Sequence, residues 1–395
     1  MSLTIAAPEP AIRRRLCRAA LGLVPALVLA HCAGRPEAVA DRTTASALLR
    51  EARAVTQEQG LPAARDLVTR RLRAEDASGG SLEERVLRTT RDPELVLPDS
   101  LAAMPPAERR RVALVIVPGT KSGFGAKSNL TQDCLFAAAE EGRRLGFDTH
   151  FIQTAPRGTV ESNAELVAER IRPIFARADR VALVMLSKGA HDVIHYLQEH
   201  AVELPADCRE KLVAVLSLAG TVQGSVVADW FANSTDPAAM TTRGWLMLSG
   251  QGESIGMLRT VARSPWRKEV AGSLREAFPR LTWVSVAMVP DGPDGQITER
   301  LWAPKIRARV RRSSPYYSPN DGLVESAASV LPDAVAVPEW IVLAQGSHSM
   351  PNGRYLDGTR VAPRTTVPGV EDLAPASGGE VMSAYLRALP RSLLR

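Results

Sequence analysis

Ser187 stands where an apolar run ends and a helical stretch begins. Val181-Ala182-Leu183-Val184-Met185-Leu186 precede it, and Lys188-Gly189-Ala190-His191-Asp192 follow. A strand–turn–helix junction of this kind can lift a hydroxyl clear of a sheet and place negative charge beside a helix N-terminus. The matching chemistry is acyl transfer. It needs an activated hydroxyl, a base, a group that orients the base, and donors for the developing oxyanion. Taken alone, Ser-X-Gly also fits a serine that caps a helix.

Two other patterns suggest chemistry and fail on detail. Residues 119–128, Gly-Thr-Lys-Ser-Gly-Phe-Gly-Ala-Lys-Ser, follow an apolar run as a phosphate-binding loop would. Ala126, however, occupies the place where Gly must precede Lys-Ser, so a loop bordering a site is the more economical reading. His191-Asp192-Val193-Ile194-His195 puts two imidazoles on one helical face. A zinc protease requires Glu where Asp192 stands, and no third ligand is evident. These are read as helix polar groups beside the junction, and neither metal nor cofactor is expected.

The elements that must position Ser187 follow from the pattern of apolar residues. Residues 112–117 are a continuous apolar run, as expected of a strand buried on both faces, and 180–186 and 212–218 read as two further clear strands. Further strands are predicted over 148–153, 281–289 and 340–343, with helices over 132–145, 163–178, 189–200 and 381–389. This βαβ rhythm predicts an α/β fold with a mostly parallel central sheet and helices on both faces. Residues 43–74 read as polar helices, interrupted by Ser78-Gly79-Gly80-Ser81 and followed by a proline-marked linker over 98–106. The strand signal fades between about 220 and 280, where Trp230, Phe231, Trp245, Met247 and Met257 suggest a cap with its own small core. It is expected to cover the edge of the sheet. The chain thus divides into a leader and tether (1–40), a helical N-terminal extension (41–106), and an α/β domain with a cap insertion (107–395).

The leader carries Arg13-Arg14-Arg15-Leu16-Cys17-Arg18 before an apolar run from Ala19 to Ala30. That run is too short to span a bilayer comfortably and suits a secretion signal, which predicts export to the cell envelope. It ends in Leu29-Ala30-His31-Cys32, which resembles a bacterial lipoprotein box with Cys32 as the lipidated, membrane-anchoring residue. His31 departs from the small residue that box prefers, and cleavage after Ala38-Val39-Ala40 is the competing reading. The net charge of +6 falls to +3 without residues 1–31, and no basic stripe is interleaved with aromatics. Nucleic acid is therefore not an expected partner. Of the remaining cysteines, Cys134 and Cys208 could pair, and no cysteine pair has metal-site spacing.

Around Ser187 the chain resembles the α/β-hydrolase superfamily, especially its lipase- and esterase-like members, whose elbow reads Gly-X-Ser-X-Gly. Gly189 matches, while Met185 stands where the first glycine is expected. The resemblance implies that Pro118-Gly119-Thr120 is placed like the family's oxyanion loop, with the backbone N–H groups of Thr120 and Lys188 as donors. It also implies that Asp321, in Ser318-Pro319-Asn320-Asp321-Gly322-Leu323-Val324, is the acid. His348, in Gly346-Ser347-His348 after the last strand, would be the base. The order Ser187, Asp321, His348 is the one expected of that fold. Asp321 lies well past the strand ending near Val289, so an insertion must carry the chain back. The expected activity is cleavage of a carboxylic ester, small or lipid. An envelope acyltransferase, or a non-catalytic envelope protein on the same fold, stands as the alternative.

Overall fold

The computed structural model describes residues 46–119, 130–155, 158–235, 237–248, 271–289, 317–345, 348, 354–355 and 378–394, with five single positions between 252 and 267. The leader, including Cys32, lies outside the described residues, as do Thr120 and the side chain of Cys134. Residues 42–395 form one compact unit.

Its centre is a seven-stranded sheet of β1 (Val112–Val117), β2 (Asp148–Phe151), β3 (Arg180–Leu186), β4 (Leu212–Leu218), β5 (Thr282–Met288), β6 (Glu339–Gln345) and β7 (Arg354–Tyr355). The spatial order is β2-β1-β3-β4-β5-β6-β7, with β1 to β6 parallel and only β7 antiparallel. This is an α/β-hydrolase-like layout. Among the described residues the longer helices, in chain order, are α1 (Ala47–Gln59), α2 (Leu61–Glu75), α3 (Ser81–Arg91), α4 (Leu130–Arg144), α5 (Val160–Arg177), α6 (Gly189–Glu199), α7 (Val226–Asn233), α8 (Pro237–Leu248) and α9 (Gly378–Ala388).

Why β1 is apolar throughout is visible in its packing. Val112, Leu114 and Ile116 join one core with Leu135 and Ala139 of α4 and with Tyr385 and Leu386 of α9. Ala113, Val115 and Val117 join the other, with Val167 and Ile171 of α5 and Val193 and Leu197 of α6. Alternate residues of a strand face opposite sides, so a sheet covered on both faces needs apolar residues at every position.

β7 pairs with the end of β6, and the N-terminal helices cover the rest of that strand's outer side. Leu48, Leu49 and Ala52 of α1 and Val68 and Leu72 of α2 pack with Ile341 and Leu343. The strand's outward N–H groups are taken up by carboxylates: Ile341 donates to Asp76 at 2.9 Å and Leu343 to Glu83 at 3.2 Å. Ala77 N–H donates to the Glu339 carbonyl at 2.8 Å. An open strand edge is a template for unwanted pairing, and this one is closed by side chains and helices. The cap was expected to cover the sheet edge; at β6 that task falls to residues 47–91. In the segment expected to form a cap, α7 contributes Val226, Val227, Trp230 and Phe231 to a small core with Ala239, Leu61 and Tyr317.

Cys208 carries a free thiol, so the pairing left open with Cys134 is not made. Among the described residues no helix is long and apolar enough to cross a membrane. No group of three His, Cys, Asp or Glu among them is arranged to hold a metal ion.

Candidate active site

Ser187 is the first of the two turn residues between β3 and α6, with φ at 56°. Left-handed backbone costs an L-residue about 1–2 kcal/mol, so surrounding contacts must hold it there. They converge on its carbonyl, which accepts from Ala190 N–H at 3.0 Å, Thr221 N–H at 3.1 Å and the Thr221 hydroxyl at 3.1 Å. Two glycines make room. A Cβ on Gly119 would lie 2.7 Å from Ser187 Cβ and 2.8 Å from the Leu186 carbonyl oxygen. One on Gly189 would lie 2.6 Å from the Val117 carbonyl oxygen, so only glycine lets α6 start this close to the end of β1. Met185 is fully buried and packs with Val117, Ala190 and Val193, which accommodates a side chain where the resemblance led one to expect glycine.

His348 and Asp321 meet Ser187 in a line. His348 Nε2 is 2.7 Å from Ser187 Oγ, and Nδ1 is 2.9 Å from Asp321 Oδ2. The backbone adds a further link, His348 N–H to the Asp321 carbonyl at 2.9 Å. The second carboxylate oxygen of Asp321 accepts from Leu323 N–H at 2.9 Å and Val324 N–H at 2.8 Å. Both carboxylate oxygens are therefore committed, which fixes the plane presented to the imidazole. Gly322, at φ 104°, allows the tight turn. The insertion expected between β5 and Asp321 falls on residues 290–316, which lie outside the described residues; beyond it, the Ser326 hydroxyl donates to the Met288 carbonyl at the end of β5.

Lys188 is the N-cap of α6, so its N–H lies at the positive end of the helix beside Ser187. Its side chain turns inward to a buried ion pair with Asp192 at 2.5 Å. Asp192 also accepts from Asn163 at 2.9 Å, and Asn163 holds both polar groups of the Ala155 backbone. Burial pushes the Asp192 carboxyl up to about 6, against the pull of Lys188.

His191, in the first turn of α6, supports the junction through a neighbour. Its Nδ1 lies 2.8 Å from Thr221 Oγ1, and the Thr221 hydroxyl spends its proton on the Ser187 carbonyl. His191 Nδ1 is therefore the protonated nitrogen, while Nε2 is buried with no hydrogen-bond partner among the described residues. Burial, with Lys188 nearby, drives its pKa down from 6.5 to about 3. A pKa below the unfolded value means stability that is present above pH 6.5 and lost as pH falls. His191→Gln is expected to lose less stability than the parent between pH 7 and 4, the difference being at most ~1.4 kcal/mol per pH unit for one proton. Asp192 titrates in the same range with the opposite sign, but in both proteins, so it cancels from the comparison. Urea denaturation across that range measures it, and parallel curves would refute it.

Residue patterns pointed to Ser187, Asp321 and His348, and the fold places His348 within hydrogen-bonding distance of each of the other two. They did not point to Thr221 or Asn163, which carry no motif and act through other groups. No family model matches the sequence, and neither does any curated protein. Solved structures of similar layout include a metagenomic carboxyl esterase, at TM-score 0.43 and 19% identity over 71% of this chain and 74% of that one. Another is the mature lipase BlEst2 of Bacillus licheniformis, at TM-score 0.40 and 18% identity over 62% of this chain and 87% of that one. Both likenesses are distant.

Proposed function

We propose that this chain is a serine hydrolase that cleaves a carboxylic ester through an acyl-enzyme on Ser187. The observation that carries the reading is the unbroken line from Ser187 Oγ through His348 to Asp321, ending on a serine held at positive φ. In this mechanism His348 Nε2 takes the hydroxyl proton as Oγ bonds to the ester carbonyl carbon. The carbonyl π electrons move to oxygen, and the oxyanion is met by the N–H groups of Lys188 and Thr120. As the tetrahedral intermediate collapses, the C–O bond to the alcohol breaks and imidazolium returns the proton to the leaving oxygen. Water then repeats the sequence on the acyl-enzyme. Asp321 holds Nδ1 protonated throughout, so that Nε2 is free to accept.

The same reading places the mature protein in the cell envelope, anchored through Cys32, on the strength of the basic and apolar leader. A fluorophosphonate probe tests the chemistry, since stable labelling requires an activated serine. The wild-type protein should be labelled at Ser187 and should turn over a short p-nitrophenyl ester. A folded protein that takes no label would sink the proposal.

A further inference from the structure

The N-terminal helices do more than close the sheet edge: one of them reaches the loop that carries Asp321. Residues 318–326 form a narrow loop, with an antiparallel bridge between Asn320 and Glu325 and Ser326 N–H donating to the Pro319 carbonyl at 2.8 Å. Asp321 lies at its tip. Glu325 is wholly buried, and its Oε1 accepts from the Ser318 hydroxyl at 2.8 Å, so one side chain ties the loop's two arms together. A buried carboxylate needs a partner. It finds one in Arg53 of α1, whose Nε donates to Glu325 Oε1 at 2.9 Å while a terminal nitrogen binds Oε2. Arg53 and Glu325 are 272 residues apart in the chain.

We propose that Arg53 is a positioning residue for the reaction: acting through Glu325, it fixes the loop that aims Asp321 at His348. The geometry of influence is short. Val324, whose N–H holds Asp321 Oδ1, is bonded directly to Glu325, and Asp321 N–H in turn donates to the Val324 carbonyl at 3.0 Å. Without the guanidinium, Glu325 is a buried carboxylate that has lost its charge partner and must draw in water, which loosens its hold on Ser318. A second contact from the same helix strengthens the case. Ser46, the N-cap of α1, donates its N–H to Gln223 Oε1 at 2.8 Å. Gln223 Nε2 donates to the carbonyls of Ala327 and Val330, both at 3.0 Å, just beyond the acid loop. Two residues before it stands Thr221, on the Ser187 carbonyl. The start of α1 and its Arg53 thus bear on the segments that set both ends of the Ser187–His348–Asp321 line.

The inference rests on the ester-hydrolase reading, so wild-type turnover is measured first; a wild-type protein without turnover overturns that reading and this inference with it. With turnover established, Arg53→Ala is expected to lower kcat about 10- to 100-fold, with KM changed less than about twofold, because misplacement of the acid loop touches no substrate contact. Millimolar guanidinium chloride should restore part of the loss and sodium chloride should not. Arg53→Lys should fall between the two. Unchanged kcat in folded Arg53→Ala overturns the inference, as does a loss that guanidinium leaves untouched. If Arg53→Ala does not fold, Arg53→Met combined with Glu325→Met removes both charges together, a change that buried pairs tolerate. Wild-type kcat in that folded double variant overturns the inference equally.

Discussion

Ser187→Ala is expected to cut kcat/KM for a short p-nitrophenyl ester by at least ~10⁴-fold while leaving the fold intact. The methyl group leaves His348 Nε2 without the hydroxyl 2.7 Å away that it would deprotonate. Residual turnover would then come only from water and from whatever oxyanion donors remain. Alanine meets the same left-handed backbone as serine, so the unfolding free energy should hardly move. Ser187→Gly separates the two effects more sharply. Glycine relieves a strain of about 1–2 kcal/mol but gives back roughly 0.5–1 kcal/mol in chain entropy. It also removes the Cβ beside Gly119. The glycine variant should therefore be equally inactive and more stable by about 0.5–1 kcal/mol in urea denaturation. Undiminished hydrolysis by either variant would remove Ser187 from the mechanism.

Asp321→Asn is the second large effect, and here the backbone decides the outcome. The Leu323 and Val324 N–H groups demand an acceptor, so the asparagine carbonyl must take the place of Oδ1. The amide nitrogen is left where Oδ2 stands, 2.9 Å from His348 Nδ1. That nitrogen can only donate, so the imidazole proton moves to Nε2 and points at Ser187 Oγ. A base in this tautomer cannot accept the serine proton. A kcat loss of the order of 10⁴ is expected, with KM and thermal stability close to the parent. If kcat falls less than about tenfold, tautomer control by Asp321 is wrong.

Legibility in the sequence tracked how local each requirement was. β1 could be read directly, because a strand buried on both faces is continuously apolar, and β3 and β4 keep that pattern apart from Arg180 and Ser217. β6 is longer than its apolar kernel, since Glu339 and Gln345 pair in the sheet while looking polar. The two-residue β7 carries no pattern at all. Ser187 was legible through its strand–turn–helix context, and Met185 shows that a local motif can depart where the neighbours leave room. The roles of Arg53, Asp76 and Glu83 were invisible. On a polar helix they resemble a solvated face, yet they serve Glu325 and the amides of Ile341 and Leu343, more than 250 residues away.

That separation also sets an order of events during synthesis. Arg53 leaves the ribosome 272 residues before Glu325, an interval of about 15–55 s at roughly 5–20 residues per second. Until then Leu48, Leu49, Val68 and Leu72 lack the β6 face they will cover. Closing contacts that span most of a chain form late. Asp321 is therefore braced only when α1 and α2 meet β6, and the growing chain cannot complete the line to Ser187 ahead of time.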